Sequence, residues 1–312
     1  MKNVLISAYA KQNLGDDMFI TYLCHKYPNI NFHIFCETDY QKAFKDILNL
    51  NVINDLKIID RRDYDMQIVI GGSIFMQSST KSIIQKYSID KKTLLAVKPT
   101  CVIGANFGPY TSIAFLALYK QLFKKVEKIS FRDEYSYKLF QLKNIFWAPD
   151  ILFNYPLPDN KRCDNTILIS CIKKNSRSGL IDYDEDIYIK QLTSAAECYS
   201  SNGFKISLAC FSKIQEDHIA AQTIYNNLSH DAKLNTEIII YNGNINNFLK
   251  KFLSASYIIG TRFHSVILGL SAGIPVFPIC YNSKLKNALL SYEFKGNYIG
   301  IDKIGTIDFS YI

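Results

Sequence analysis

The sequence lacks the glycine-rich fingerprints of two large classes of nucleotide-binding protein. Neither Gly-x-Gly-x-x-Gly nor Gly-x-x-x-x-Gly-Lys-Ser/Thr occurs anywhere in the 312 residues. In those patterns glycines and backbone N–H groups hold a dinucleotide or the phosphates of a nucleoside triphosphate. The sequence therefore gives no motif evidence for a nicotinamide-dependent enzyme or for a P-loop nucleotide-binding protein.

Paired cysteines and long apolar runs are also missing. None of the eight cysteines forms a Cys-x-x-Cys pair, so the sequence predicts no structural zinc site. No other metal centre is expected, because cationic side chains can supply the charge that a metal would. Most of them lie in apolar runs, as reduced thiols do, and we expect a reducing, cytoplasmic compartment. No apolar run reaches the ~20 residues of a membrane-spanning helix. The run after Lys2 is too short for a signal peptide and predicts a first strand.

Acidic residues are fewer than basic ones. Lys and Arg number 36 and Asp and Glu 28, which gives a formal net charge of +8. Most of this excess lies in the first half of the chain. No Lys/Arg cluster resembles a nucleic-acid-binding arm, so nucleic acid is not an expected partner. Small anionic ligands and peripheral contact with the anionic inner face of a membrane are compatible with this charge.

The residues that are present predict two α/β domains. Hydrophobic residues make up 48% of the chain, and short β-rich runs alternate with helical patterns such as the one over 40–50. This alternation predicts parallel sheets with helices on both faces. We expect two Rossmann-like domains facing a cleft, over residues 1–154 and 166–312. The segment 155–165, with Pro156 and Pro158, is the predicted linker.

Polar residues follow the first predicted strand, at the kind of position where open α/β sheets bind ligands. Asn13, Gly15, Asp16 and Asp17 lie between that strand and the next helix. Gly15 permits tight backbone geometry, and a helix N-terminus favours an anion or a hydroxyl. A plain helix N-cap explains the same residues, and the spacing does not decide between the two.

Later strand ends of the first half carry further candidates. Gly71 and Gly72 end one strand, Asn106 follows the next, and Arg132 and Asp133 lie where another strand meets a helix. Paired glycines allow a ligand to approach the backbone closely. The alternatives are an ordinary turn at the glycines and a local ion pair at Arg132.

The second half carries cations at its strand ends. Lys173 follows the first strand, as a solvated turn residue or as an anion contact. Arg262 and His264 lie where a strand meets a helix N-terminus, and they combine a planar donor fork with a group that titrates near neutrality. Residues 254–292 contain Arg262 and Lys284 but no Asp or Glu. This pattern favours a multiply charged anion, unless a carboxylate comes from another part of the chain.

The ordered set of these motifs resembles the polysaccharide pyruvyl transferase family and runs along nearly the whole chain. The matching motifs are Asn13-x-Gly15-Asp16, Gly71-Gly72, residues 103–109, Phe131-Arg132-Asp133-x-x-Ser136, Ala148-Pro149-Asp150, Arg262-Phe263-His264-Ser265, and residues 273–275 continuing to Tyr281-x-x-Lys284.

The resemblance implies a fold similar to glycosyltransferase-B. It implies transfer of pyruvate from phosphoenolpyruvate to two hydroxyls of one sugar, as a ketal on a bacterial-type surface polysaccharide or its precursor. Phosphoenolpyruvate is then a co-substrate, no other cofactor is expected, and the acceptor is a sugar or a lipid-linked oligosaccharide. The first domain takes the acceptor and the second takes the donor.

The resemblance also assigns roles to residues. Arg262 and His264 bind phosphoenolpyruvate, with Phe263 in place of a common Leu and Lys173 where an Arg is usual. His264 is our candidate acid, and Asp16, Asp17 and Asp133 are candidates to orient the acceptor hydroxyl. The remaining candidate substrate contacts are Asn13, Gly72, Asn106, Arg132 and Lys284.

Two other functions stay open on the sequence. A nucleotide-sugar glycosyltransferase has the same expected fold, although such sites generally use a carboxylate in the region that is acid-free here. A non-catalytic protein that binds a glycan or phosphoenolpyruvate is favoured by Lys173, because lysine cannot form the bidentate fork of arginine.

Overall fold

Two parallel sheets organise the chain, each in its own unit. The computed structural model describes residues 2–55, 59–77, 83–159, 165–174 and 183–309. The first unit comprises Met1–Lys11, Asp16–Ile151 and Lys286–Phe294, and the second comprises Gln12–Gly15, Leu152–Leu285 and Lys295–Ile312.

Two short segments therefore belong to a different unit from the one that the predicted boundaries assign. Residues 12–15 join the second unit, where the N–H of Leu14 donates to the carbonyl oxygen of Phe211 at 3.1 Å. Residues 286–294 join the first, where the Tyr292 hydroxyl donates to the carbonyl oxygen of Arg132 at 2.8 Å. Of the predicted linker, residues 160–164 lie outside the described residues.

The described residues of the first unit form seven parallel strands. They are β1 (Lys2–Ser7), β2 (Ile30–Phe35), β3 (Leu50–Ile53), β4 (Met66–Ile70), β5 (Thr100–Ala105), β6 (Lys128–Phe131) and β7 (Ile145–Trp147), in the sheet order β3-β2-β1-β4-β5-β6-β7. The helices are α1 (Leu14–Lys26), α2 (Ile83–Leu94), α3 (Ile113–Phe123) and α4 (Glu134–Phe140). The strand order reverses between β1 and β4, so ligand-binding positions are expected where these two strands end.

In the part of the second unit that the structure describes, the plan is repeated with six strands. They are β8 (Thr166–Ser170), β9 (Lys205–Cys210), β10 (Thr236–Ile240), β11 (Tyr257–Gly260), β12 (Val276–Cys280) and β13 (Ile299–Gly300), in the order β10-β9-β8-β11-β12-β13. Its helices are α5 (Glu185–Ser201), α6 (Asp217–Asn227), α7 (His230–Leu234), α8 (Ile245–Phe252) and α9 (Phe263–Ser271), and α10 (Ser283–Ser291) follows β12. Here the order reverses between β8 and β11.

None of the helices in the described part of the chain is both long and apolar enough to cross a membrane.

The predicted helix over 40–50 is wrong. The chain instead forms a 3₁₀ turn at Thr38–Phe44 and then enters β3, where Leu50 pairs with Phe32 of β2. Just before β3, the side-chain amide of Asn49 donates to three carbonyl oxygens at 3.1 Å each, those of Cys24, Tyr27 and Ile30. Of the predicted helix only Leu50 enters the sheet, and the contacts that fix the chain before β3 come from distant residues that a local pattern does not contain.

Candidate functional site

Arg262 lies between β11 and α9, and its guanidinium is held by a carboxylate. Its Nε donates to both carboxylate oxygens of Asp217, at 3.0 and 2.9 Å. Nη2 also donates to Asp217, and Nη1 donates to the side-chain oxygen of Gln215. Asp217 is fully buried, and its Oδ2 accepts the backbone N–H groups of Phe211 and Ser212 at 3.0 Å each. The fork of Arg262 is therefore fixed to the loop that joins β9 to α6.

Burial and charge act in opposite directions on the pKa values of this pair. Burial lowers the pKa of Arg262, but the carboxylate of Asp217 outweighs that effect and raises the pKa above its ordinary value. Burial raises the pKa of Asp217, against the opposite effect of Arg262 and of the two N–H groups. A carboxylate thus reaches Arg262 from outside residues 254–292, so the acid-free stretch does not leave this cation without a counter-charge.

Hydrogen bonds from β8 and α9 hold the backbone of Arg262. The Oγ of Ser170, at the end of β8, accepts the N–H groups of Thr261 at 3.0 Å and Arg262 at 3.2 Å. The Oγ of Ser265 donates to the carbonyl oxygen of Arg262 at 2.6 Å. Main chain and side chain of Arg262 are therefore both positioned before any ligand binds.

His264 lies in the first turn of α9, half-buried, with a glycine against its ring. Its ring is perpendicular to that of Phe263, with centroids 5.3 Å apart. A Cβ atom at Gly15 would lie 1.7 Å from His264 Nδ1, a separation that no side chain tolerates. Gly15 has no positive φ. Position 15 therefore needs glycine because of the neighbouring ring, not because of backbone conformation.

Backbone contacts hold Gly15 in this place. Asn13 forms an isolated antiparallel bridge with Ser212, next to the hydrogen bond from Leu14 to Phe211. The Oδ1 of Asn13 accepts the N–H of Gly15 at 3.2 Å. The second unit thus brings Asn13 and Gly15 to the loop that also anchors Asp217.

The two candidate lysines of the second unit lie in different surroundings. Lys173 Nζ is 2.7 Å from Oε2 of Glu185, at the start of α5. Lys173 lines a groove between α5 and α6 with residues such as Ile189 and Thr193. Lys284 is buried near the start of α10. Its backbone N–H donates to Oδ1 of Asn282 at 3.1 Å. The charge of Lys173 is thus already compensated by a carboxylate.

In the first unit, Arg132 forms a buried network with other candidates. Nη1 is 2.9 Å from Oδ2 of Asp150, and Nη2 donates to Oδ1 of Asn106 at 3.0 Å. A Cβ atom at Gly72 would lie 2.2 Å from Nη2. The side chains of Arg132 and Asp150 are 3% and 0% exposed, so this ion pair faces the interior. Arg132 does form an ion pair, but its partner Asp150 lies 18 residues along the chain, so the pair is not the local one that the sequence offered as the alternative.

The three candidate aspartates of the first unit differ in access. Both oxygens of Asp133 bind Ser136 as the N-cap of α4, accepting its N–H at 2.8 Å and its hydroxyl at 2.9 Å, and burial raises the pKa of Asp133. Asp17 is fully buried. Asp16 is half-buried, and its Oδ1 lies 3.7 Å from the place where a Cβ of Gly71 would be. Asp16 thus lies at the edge where β1 and β4 end.

Sequence reasoning missed Ser170, Gln215 and Asp217. Asp217 looks like any acid in the first turn of a helix, and Ser170 like any small residue at a strand end. Their roles depend on which strands lie beside β8 and β9 in the sheet, and a local sequence pattern does not contain that information.

Comparison with known proteins supports one family and one fold. The family model of polysaccharide pyruvyl transferases matches residues 12–283, and no curated protein matches the sequence. The chain is similar to the structure of HepE from Anabaena in complex with UDP and glucose, at 10% identity over 98% of this chain and 89% of that chain, with a TM-score of 0.57. It is also similar to the UDP-GlcNAc 2-epimerase of Methanocaldococcus jannaschii, at 12% identity over 99% and 91% of the two chains, with a TM-score of 0.54.

At these identities the structural likeness shows the fold alone. The predicted α/β fold class, similar to glycosyltransferase-B, is confirmed.

Gly72→Ala should destabilise the first unit. The added Cβ would displace the guanidinium of Arg132 and break its buried pair with Asp150, and loss of such a pair costs about 3–5 kcal/mol. Urea unfolding measures the change, and Ser73→Ala at the exposed next position is the control. Equal unfolding midpoints for both variants would contradict the role of Gly72.

Proposed function

Because the chain belongs to the polysaccharide pyruvyl transferase family, we propose that it transfers pyruvate from phosphoenolpyruvate to two hydroxyls of one sugar. The product is a cyclic ketal on a surface polysaccharide or its precursor. The observation that carries the proposal is the pre-positioned pair of Arg262 and His264 in the second unit, with Gly15 packed against the histidine.

Arg262 binds the donor through the part of its fork that Asp217 does not use. Phosphoenolpyruvate has a phosphate and a carboxylate, both of which suit a planar guanidinium. The guanidinium has more N–H donors than its contacts with Asp217 and Gln215 require. Asp217 keeps the fork in one orientation, which lowers the entropy lost when the anion binds. Lys284 is the nearest candidate in sequence for a second cation.

His264 acts as the acid in the chemical step. It protonates the methylene carbon of phosphoenolpyruvate, and positive charge develops at the adjacent carbon. The first sugar hydroxyl forms a bond to that carbon, the bond to the phosphate oxygen breaks, and the second hydroxyl closes the ring. Of the two hydroxyl protons, one replaces the proton given by His264 and the other leaves with the phosphate, so the step balances.

Asp16 orients the attacking hydroxyl. Of the three aspartates it is the one that is only half-buried, whereas Asp17 and Asp133 are buried. Its place next to Gly71 leaves room for a ligand close to the backbone. This assignment gives the first unit the acceptor and the second unit the donor.

A nucleotide-sugar glycosyltransferase is the second candidate function. It is favoured by the shared fold with HepE, whose structure contains UDP and glucose. Its need for a carboxylate that binds ribose is poorly met by Asp217, because both oxygens of Asp217 already accept hydrogen bonds from Arg262 or the backbone. Pyruvyl transfer instead gives a role to each of Arg262, His264 and Asp16.

Titration with phosphoenolpyruvate should give binding that depends on Arg262. Arg262→Lys keeps the charge and loses the bidentate fork, so we expect about 10- to 100-fold weaker binding by calorimetry. Arg262→Ala should abolish measurable binding. Arg62→Ala, at an exposed arginine, is the matched control and should bind as the wild type does. Circular dichroism checks that each variant is folded.

The same titration with UDP-glucose and other nucleotide sugars separates the two candidates. Binding of a nucleotide sugar together with no binding of phosphoenolpyruvate would overturn the pyruvyl proposal.

Removal of the acid should affect turnover more than donor binding. His264→Ala is expected to lower phosphate release by about 100- to 10,000-fold, the usual contribution of a positioned acid. Gly15→Ala should lower it as well, because its Cβ displaces the ring of His264. Gly305→Ala is the control, since its Cβ meets a methyl of Ile187 at 3.1 Å and lies against no candidate residue. Unchanged turnover in His264→Ala would exclude the acid role.

Substitution of Asp16 should affect turnover, whereas substitution of Asp133 should affect the free energy of unfolding. Asp16→Ala is expected to lower turnover while the affinity for phosphoenolpyruvate stays the same, because it acts on the acceptor. Asp133→Ala should instead lower the free energy of unfolding by about 1 kcal/mol, the usual cost of a lost N-cap. Turnover assays and urea unfolding on both variants make the comparison. A turnover loss confined to Asp133→Ala would contradict the choice of Asp16.

A further inference from the structure

Helices α2 and α3 lie side by side on one face of the seven-stranded sheet. They follow β4 and β5 in a series of neighbouring parallel strands, and right-handed crossovers place such helices on the same face. The rings of Tyr87 and Tyr119 meet edge to face with centroids 5.9 Å apart. The Tyr119 hydroxyl donates to the carboxylate of Asp90. The two helices therefore form one continuous layer.

The outward surface of this layer combines exposed isoleucines with lysines. Ile84 and Ile113 are 77% and 83% exposed. The α2–α3 face, as we define it, consists of Ile84, Ile89, Lys92, Ile113, Lys120 and Lys124, all of them exposed. Isoleucine side chains at such exposure stabilise nothing within the unit, since their apolar area stays in water.

Lysines outnumber acids on this surface. Residues 83–127 contain seven lysines, no arginine and two acids, Asp90 and the exposed Glu127. Asp90 is buried and accepts hydrogen bonds from Lys86 and Tyr119, so it does not neutralise the exposed lysines. Lysines near helix C-termini also stabilise the helix dipole. That effect accounts for cations at the helix ends, but it does not account for the exposed isoleucines.

We propose that the α2–α3 face docks on an anionic lipid surface. Lysines attract the phosphates of acidic headgroups, and isoleucines on the same face enter the boundary between headgroups and acyl chains. A nucleic-acid surface fits less well, because the face offers neither arginines nor aromatic rings for the bases. The proposal goes beyond pyruvyl transfer and does not depend on it. A lipid-linked acceptor would be presented at the surface that the face recognises.

Vesicle sedimentation of the full chain tests the proposal. One set of vesicles contains equal parts phosphatidylglycerol and phosphatidylcholine, and the other contains phosphatidylcholine alone. The wild type should sediment with the first set and not the second. Lys120→Glu/Lys124→Glu should weaken partitioning by about tenfold or more, from loss of attraction and added repulsion, and added salt should weaken it for the wild type.

Matched variants test whether binding depends on the α2–α3 face itself or only on the overall charge and hydrophobicity of the protein. Lys250→Glu/Lys303→Glu makes the same charge change at exposed lysines of the second unit, and it should partition as the wild type does. Ile84→Ser/Ile113→Ser should weaken partitioning, whereas Leu234→Ser, at a leucine 75% exposed, should not. All of these positions are exposed, so thermal melting should show every variant folded.

Three results would overturn the proposal. The wild type fails to bind the anionic vesicles, or the control variants lose binding as much as the face variants do. The third is that the wild type binds duplex DNA but not the vesicles and loses this binding in Lys120→Glu/Lys124→Glu, which would make the face a polyanion site instead.

Discussion

The buried pair of Arg262 and Asp217 is the interaction on which the second unit's site depends. Removing either partner leaves a buried charge without compensation, at a cost of about 3–5 kcal/mol. The loop between β9 and α6 holds Asp217 through two backbone N–H groups, and the same loop pairs with Asn13. The ion pair thus connects Arg262, between β11 and α9, to the loop before α6 that also contacts the segment carrying Gly15. The arginine is charged, oriented and still partly accessible, which is the state an anion-binding group requires.

The ion pairs of Arg132 and Arg262 differ in the solvent exposure of the arginine side chain. Arg132 and Asp150 form an ion pair of similar geometry, but the side chain of Arg132 is 3% exposed whereas that of Arg262 is 14% exposed. Asn106 and Gly72 enclose the guanidinium of Arg132. The first pair stabilises the interior of its unit. The second leaves part of its fork accessible, as the proposed binding of the donor requires.

Two glycines owe their identity to a neighbouring side chain. Gly15 and Gly72 lack positive φ values, so neither is required by the backbone. Each lies where a neighbouring side chain occupies the place of a Cβ: the ring of His264 for Gly15 and the guanidinium of Arg132 for Gly72. A glycine in a motif thus marks close packing as readily as a turn.

The sequence by itself determined the alternation of strands and helices, because apolar periodicity and strand-end residues are local properties. It placed Arg262 and His264 at a strand end before a helix. It did not determine β3, because the pairing of Leu50 with Phe32 depends on a strand that is distant in the chain. Only the tertiary structure decided that Asp217 partners Arg262 and that Asp150 partners Arg132. Those partners lie far apart in the chain, and the order of strands in each sheet, which depends on non-local pairing, brings them together.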